Sequence, residues 1–316
     1  MTDTIQISVV IAAYEAEQFI AGAIEDCLKQ TDVRLEVIVV DDCSASSLEP
    51  SVLAASGGDE RVRFIRLDKN QGPAGARNAA FDAARGAYIA ILDADDGMKP
   101  DRLAALLALA QETGADIAVD NMIEVFADEA QRIETSFLSI DGFDRPRQID
   151  LETYMESGWH AEFNRPLGYL KPFFRRSFVE EHGCRYDLSL KNSEDHYIVA
   201  EMLARGAKMM MTPYAGYYYV RHEASLSYRM TAAQAAAIVS AEQAFFATHS
   251  DQMSDAEKRI SQLRQRELKK VSEFEAIAQA LKGKKLFRAA GLLASNPRTS
   301  FGHVGRLVSI GFRKVA

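Results

Sequence analysis

Cysteine is scarce in this chain of 316 residues: Cys27, Cys43 and Cys184 are odd in number and far apart. That fits reduced thiols better than a disulfide framework or a zinc knot. Long apolar runs are missing too, since none approaches the roughly 20 residues of a membrane span, and Met1 to Gln6 lacks the basic start and apolar core of a signal peptide. A cytoplasmic protein is expected. Acid is missing from one end: all 45 Asp and Glu lie at or before Glu275, while eight of the 37 Lys and Arg follow it. The acidic body argues against general nucleic-acid binding, and the basic tail points to an anionic partner for that end alone. No internal repeat or low-complexity linker breaks the chain. With 47% apolar residues, it can bury a large core.

Apolar strands and helices alternate through the first half. Ile5–Ala12, Leu35–Val40, Val62–Leu67, Ala87–Leu92 and the run from Ala115 have strand character. Between them, Glu17–Gln30 sets Ile20, Ala23, Ile24, Cys27 and Leu28 on one helical face; a second helix follows Gly72-Pro73, and a third runs from Pro100 to Thr113. This rhythm predicts an α/β fold with a mostly parallel sheet, whose strand ends near Tyr14, Asp42 and Asp95 share one rim. After about residue 125 the pattern loosens. Ser193 is expected to cap a helix over Glu194–Arg205, with two strands at Lys208–Met211 and Gly216–Val220, and the chain reads as helical from Thr231.

The stretch Ala87-Tyr-Ile-Ala-Ile-Leu-Asp-Ala-Asp-Asp96 ends a buried strand in three carboxylates. Asp93 and Asp95, flanking Ala94, can converge on one hard cation that already carries diphosphate oxygens, or they can cap the following turn and helix. Asp42 can accept from the N–H of a nucleobase or cap the turn at Ser44. Tyr14 can stack on that base or cover the sheet edge. Arg77 and Asn78 lie in the first turns of a helix whose positive end suits a diphosphate, although taken alone Arg77 reads better as a surface residue of an Ala-rich helix. Asp195, opening a helix, is either a general base or half of an acidic pair complementing the helix dipole. Trp159 either stacks on a sugar or joins the core.

Together, Ile7-Ser-Val-Val-Ile-Ala-Ala-Tyr14, Val37-Ile-Val-Val-Asp-Asp-Cys-Ser44, Asn70-Gln-Gly-Pro-Ala-Gly-Ala-Arg-Asn78 and Leu92-Asp-Ala-Asp-Asp96 resemble, in order and spacing, the family 2 glycosyltransferases with the GT-A (Rossmann-like) fold. Asn192-Ser-Glu-Asp-His-Tyr197 resembles the family's Glu-Asp motif, and Tyr217 to Tyr228 resembles the segment that closes its catalytic region. The likeness spans about residues 5–230. Through Gly168-Tyr-Leu-Lys-Pro172 and the His222 segment, the chain is similar to bacterial exopolysaccharide enzymes of the succinoglycan type.

The resemblance implies a catalytic domain over 1–230, with a nucleotide-binding half (1–124) and an acceptor half (125–230), followed by a helical extension over 231–316. It implies a nucleotide-sugar site from Ala12, Tyr14, Glu15, Asp42, Gly72, Arg77, Asp93, Ala94 and Asp95. In that site Tyr14 and Asp42 hold the base, Arg77 lies near the nucleotide, and Asp93 and Asp95 serve ribose, diphosphate and metal. It implies Mn2+ or Mg2+ on Asp95 with His222 as a further ligand, Asp195 as general base, and Trp159, Lys171 and Glu194 toward the acceptor. The activity implied is inverting, metal-dependent transfer of a sugar, with glucose the first choice, from a UDP-sugar to a lipid-linked glycan acceptor.

Other classes fare worse on the residues. The turn Ala12-Ala-Tyr-Glu-Ala16 lacks the glycines a dinucleotide fold needs, and Glu15 and Glu17 have the wrong charge for the triphosphate of a sugar nucleotidyltransferase. A non-catalytic polysaccharide-assembly protein would not need Asp93, Asp95 and Asp195 together. In the tail, Lys282 to Lys285 and the apolar spacing of Leu286, Phe287, Ala290, Leu293 and Ala294 form a basic amphipathic pattern. It repeats beyond Pro297, and it predicts contact with an anionic membrane surface, packing on the catalytic domain, or a homo-oligomer.

Overall fold

The computed structural model describes residues 4–127, 132–157, 165–221, 231–283 and 285–295. The chain forms two compact units, Met1–Ser225 and Leu226–Ala316. In the first, β1 (Ile7–Ala13), α1 (Ile20–Leu28), β2 (Leu35–Asp41), α2 (Glu49–Ser56), β3 (Val62–Arg66), α3 (Gly72–Ala83) and β4 (Tyr88–Asp93) alternate as the apolar rhythm requires. β5 (Gly97–Met98), α4 (Arg102–Thr113), β6 (Ile117–Ala127), β7 (Arg132–Ser136), β8 (Arg147–Ile149), α5 (Leu151–Glu156), β9 (Phe173–Arg175), α6 (Arg176–Glu181), α7 (Glu194–Ala204) and β10 (Met209–Arg221) follow.

The strands make one sheet in the order β3-β2-β1-β4-β9-β6-β10-β5, with β7 beside β6 and β8 beside β10. The β3-β2-β1-β4 half is all parallel, whereas β9 runs antiparallel to both β4 and β6. The sheet is therefore mixed and mostly parallel. β2 is buried along its whole length, and β1 and β4 are buried except at Ala12 and Asp93, as strands covered on both faces must be. Each fully buried aliphatic side chain there stabilises the fold by about 1.5–3 kcal/mol. Ala12 pairs with Asp93 and Ala13 with Asp41, so the carboxyl ends of β1, β2 and β4 finish level on one rim.

Against the sheet, α1 turns Ile20, Ala23, Ile24 and Cys27 inward, and α4 ends at Gly114, whose φ of 68° suits a residue without a Cβ. Gly86 leads into β4 so close to β1 that a Cβ there would stand 2.5 Å from the Ser8 nitrogen and 2.6 Å from the Ile7 carbonyl carbon.

Three local expectations are corrected. The segments Lys208–Met211 and Gly216–Val220 belong to one strand, β10, which absorbs Pro213 and Gly216 through register shifts between Thr212 and Tyr217. Ser193 precedes α7 but sits at φ 67° with no side-chain cap. The turn at Ser44 is capped by Asp41: its Oδ1 accepts from the Ser44 amide at 2.9 Å and its Oδ2 from Leu48 at 3.3 Å and from Arg66 at 2.9 Å. Asp42 is thereby left for other work.

The second unit holds α8 (Ala232–His249), α9 (Asp255–Lys282) and α10 (Leu286–Ser295). Capping boxes start α8, by Thr231 and Gln234, and α9, by Ser254 and Glu257. Buried Glu242 on α8 ties the two together, accepting from Ser261 Oγ at 2.7 Å and Arg264 Nε at 3.2 Å. Residues 296–316, where the repeat of the basic pattern falls, lie outside the described residues.

Candidate active site

The rim above β1, β2 and β4 collects the nucleotide-side candidates. Tyr14 is 54% exposed, the most open aromatic near these strand ends. Glu15, at φ 49°, pins the neighbouring loop: its amide donates to Ser44 Oγ at 2.9 Å and its Oε1 accepts from Ala45 at 2.7 Å. Asp42 tethers the start of α3, because Oδ1 accepts from the Gln71 amide at 2.7 Å while its own carbonyl accepts from Asn70 at 3.1 Å. Burial, with the Asp41 charge, pushes its carboxyl upward against hydrogen bonds from Gln71 and Gly72. Gly72 opens α3 at φ 75°, a left-handed turn that glycine adopts without strain.

One and a half turns into α3, Arg77 is buried beneath this rim. Its Nη2 donates to Asp93 Oδ1 at 2.7 Å, and its Nη1 lies 2.8 Å from Glu194 Oε1 and 3.1 Å from Asp195 Oδ1. Lys171, in the loop before β9, sets Nζ 2.7 Å from Asp93 Oδ2 and 3.2 Å from Asp195 Oδ2. The four groups close a ring in which each carboxylate touches both cations. β4, α3, α7 and the loop before β9 each supply one corner, so residues 77 to 195 converge on a single point. Burial opposes the charge on Asp93, but Lys171 and Arg77 outweigh it and hold the carboxyl well below the usual range. Burial likewise opposes the Lys171 ammonium, and Asp93 and Asp195 keep it charged.

The acids exceed the cations. Glu194 is pushed up by burial and by the Asp195 charge, with Arg77 opposing. Asp96 is pushed far up by burial and by the charges of Asp93 and Asp95, although the Tyr217 hydroxyl meets its Oδ2 at 2.6 Å and Val220 donates to its Oδ1 at 2.8 Å. Tyr217 also accepts from the Asp93 amide at 3.1 Å, tying β10 to the end of β4. Behind it, Arg102 and Asp120 form a fully buried bidentate pair, and Arg102 Nη2 donates to the Lys171 carbonyl at 3.1 Å.

Sequence reasoning separated what the structure joins. The resemblance puts Lys171 toward an acceptor, and in the structure its ammonium stands between Asp93 and Asp195. The sequence gives Asp96 and Tyr217 no role beyond the motifs they close and open, and gives Tyr186 none; an acid directly after Asp95, and tyrosines near motif residues, are the available signals. His196 stacks on Tyr154, ring centroids 5.0 Å apart, and Gly168 packs against it, a structural post. Ala94 is buried between Asp93 and Asp95, which are half-buried. Trp159 and His222 lie outside the described residues.

A divalent cation has a limited but real fit. Among the described residues no three His, Cys, Asp or Glu side chains converge as a preformed cage. Asp95, at the mouth of β4, supplies a hard oxygen where its charge and that of Asp93 already crowd Asp96. A cation held by one carboxylate takes its other oxygens from water and ligand phosphates, which matches such a site.

A mostly parallel mixed sheet with acids on one rim and a buried acidic pair opening a later helix is the GT-A architecture of nucleotide-diphospho-sugar transferases. S. aureus TarS solved with UDP-GlcNAc superposes with a TM-score of 0.66 at 16% identity, over 94% of this chain and 82% of that one. A mannosyltransferase from Pyrobaculum calidifontis, solved with GDP-Man and Mn2+, gives 0.57 at 15% identity over 98% and 81%. The profile of glycosyl transferase family 2 matches residues 8–167, and the chain belongs to that family and is a glycosyltransferase. Succinoglycan biosynthesis protein ExoO of Rhizobium meliloti (strain 1021) is 35% identical over 98% of this chain and 87% of its own length. ExoU of the same organism is 36% identical over 70% of this chain, which spans 64% of ExoU.

Proposed function

We propose that this glycosyltransferase moves a sugar, glucose in the first instance, from a UDP-sugar to a hydroxyl of a lipid-linked glycan in exopolysaccharide or other cell-surface polysaccharide synthesis, with inversion. The observation that carries the reading is the ring of Asp93, Arg77, Lys171 and Asp195, which brings a donor-side acid and a helix-start acid within reach of the same two cations. The relation to ExoO supports the pathway, and the UDP-GlcNAc complex of TarS supports a uridine nucleotide.

In this reading Tyr14 and Asp42 receive the base, beside the Glu15-pinned loop. Arg77 and the start of α3 face the diphosphate, where a helix N-terminus and a guanidinium together favour anions. Asp195 takes the acceptor proton from the face opposite the leaving group, so one displacement inverts the anomeric centre. Mn2+ or Mg2+, held by Asp95 with His222 as a further ligand, would neutralise charge on the departing diphosphate. Glu194, Lys171 and Trp159 serve the acceptor side. The enzyme works in the cytoplasm, at the inner face of the membrane. Among the described residues no helix is long and apolar enough to cross it, while α10 displays Phe287 at 97% exposure near exposed Lys282 and Lys285, and an anionic lipid surface suits that end.

The test incubates the purified chain with Mn2+ or Mg2+ and a panel of labelled nucleotide sugars, with lipid extract as acceptor. Transfer or slow donor hydrolysis is expected, with an inverted linkage in the product by NMR. No consumption of any donor would refute the reading. Asp95→Ala should abolish metal-dependent donor binding, and an unchanged metal dependence by calorimetry would remove Asp95 as the ligand. Sedimentation with anionic liposomes that is lost in high salt checks the tail.

A further inference from the structure

Tyr186 lies between α6 and α7 and is held by groups that need only its ring and backbone. Asn78 on α3 clasps the backbone, with Nδ2 donating to the Tyr186 carbonyl at 2.9 Å and Oδ1 accepting from its amide at 2.9 Å. The ring meets Phe81 edge-on at 5.5 Å and carries the Arg77 guanidinium 5.3 Å above its centroid. Phenylalanine would satisfy all of these contacts. The hydroxyl itself is buried with no hydrogen-bond partner. Tyr217, the other tyrosine of the site, has its hydroxyl engaged with both Asp96 and the Asp93 amide.

A buried hydroxyl without a partner is costly and uncommon, so its retention asks for a reason. Asp195 Oδ1 is also buried and receives no hydrogen bond, although Arg77 Nη1 stands 3.1 Å away as an ion-pair partner. Burial first, and then the Asp195 charge, push the Tyr186 ionisation far up, so this hydroxyl keeps its proton. The hydroxyl and the Asp195 carboxylate thus lie close enough to act on each other, without a hydrogen bond of good geometry between them. Asp195 is meanwhile supported by Lys171 and by Arg77, the cation that an incoming diphosphate would compete for. Catalytic hydrogen bonds commonly tighten only once substrate is bound.

We infer that Tyr186 is the positioning residue for Asp195: in the loaded enzyme its O–H donates to Oδ1 and turns Oδ2 toward the acceptor hydroxyl. Oδ1 carries none of the 12% exposure left on the Asp195 side chain, and Oδ2 is the oxygen that Lys171 reaches. The acceptor O–H then passes its proton to Oδ2 while its oxygen bonds to the anomeric carbon. The bond from that carbon to the diphosphate oxygen breaks, and its electron pair leaves with the UDP. Tyr186 keeps its own proton throughout. The inference rests on the reading of Asp195 as the base.

The test uses the full chain with UDP, Mg2+ and the donor consumed by the wild type. Tyr186→Phe removes an oxygen that holds nothing in the free protein, so it should melt at the same temperature or higher and bind UDP with unchanged affinity. Its turnover, read as UDP release, should fall about ten- to a hundredfold, the worth of a hydrogen bond to a charged group, with the donor KM unchanged. In protein labelled with 13C at tyrosine Cζ, the resonance that Tyr186→Phe deletes should move when UDP and Mg2+ are added. Full turnover by Tyr186→Phe, or a Cζ resonance unmoved at saturating UDP, overturns the inference. So does a lower melting temperature or weakened UDP binding, since either gives the hydroxyl a merely structural role. Failure of the parent reading looks different: the wild type consumes no donor, or Asp195→Asn works at full rate.

Discussion

Arg102 and Arg77 both leave water, at 1% and 5% side-chain exposure, but they spend their charge differently. Arg102 closes on one acid: Asp120, itself at 0%, takes its fork at 2.9–3.2 Å, and the remaining Asp120 capacity goes to the Gly216 amide. The guanidinium face lies over the Tyr217 ring at 4.9 Å, and Nη2 also braces the Lys171 carbonyl. Arg77 instead divides itself among Asp93, Glu194 and Asp195, and shares two of them with Lys171. The Arg102–Asp120 pair balances charge for charge, although Arg102 Nη1 is buried without a hydrogen-bond partner. The other cluster holds more acid than its cations cover, and two of its acids, Asp96 and Glu194, are pushed up by burial first and then by their acidic neighbours. Charge left uncompensated in a buried cluster is what a ligand can exploit, whereas a closed pair only holds elements together.

That contrast breaks most sharply at Asp195. Asp195→Asn keeps the shape and the Lys171 contact but cannot take a proton, so transfer should fall about 10²–10⁴-fold while UDP affinity and melting temperature stay close to wild type; a variant with substantial turnover would move the base elsewhere. The Arg102 pair should give the mirror result. Asp120→Ala strands a buried guanidinium and should lower stability in urea unfolding by about 3–5 kcal/mol. Arg102→Met with Asp120→Leu should recover most of that loss, and if it does not, the pair is more than a brace.

The smallest effect is one of pH. Glu194 has a folded carboxyl value above its unfolded one, near 4.3, so it detracts from stability once the pH rises through that range and costs nothing below it. Glu194→Gln should therefore match or exceed wild-type stability at neutral pH, with the difference fading below about pH 4. Asp93 has the opposite sign. Its folded value lies below the unfolded value of about 3.9, so its contribution is present above that pH and is lost only as the pH falls through the lowered value. The stability deficit of Asp93→Asn should persist into mild acid. Urea midpoints measured from pH 7 to 3 check both, and parallel pH curves for the two variants would contradict the assigned signs.

The β3-β2-β1-β4 half was readable because its signals are local. Continuous apolar runs at Val37–Val40 and Tyr88–Leu92 can only be covered strands, and their level ends follow from parallel pairing. Gly72 and Gly114 punctuate helices where left-handed backbone is needed. What escaped was relational. Nothing in the spacing of Arg77, Asp93, Lys171 and Asp195 says that they touch, because long stretches of chain must fold before they meet. Asp41 and Asp42 are neighbours of one type, and only the sheet decides which caps the Ser44 turn and which faces α3. Lys208–Met211 and Gly216–Val220 read as two strands, yet the parallel pairing of β10 with β6 carries one strand past Pro213. The break between α8 and α9 was legible in principle, since Ser254 and Glu257 have capping-box spacing.

The bare α-carbon of Gly86 has a consequence for how this sequence can vary. Its amide donates to Ser8 Oγ at 2.9 Å, its carbonyl accepts from Arg176 at 2.6 Å, and a Cβ would collide with the β1 main chain itself, not with a side chain that could swing aside. Any substitution must displace β1 relative to β4, and the pairing of Ala12 with Asp93 at the far end of the same strands would be carried along. A position with no chemistry of its own is thus closed to drift at a distance from the rim it protects. Random mutagenesis scored for activity would mark it as forbidden without its ever approaching a substrate.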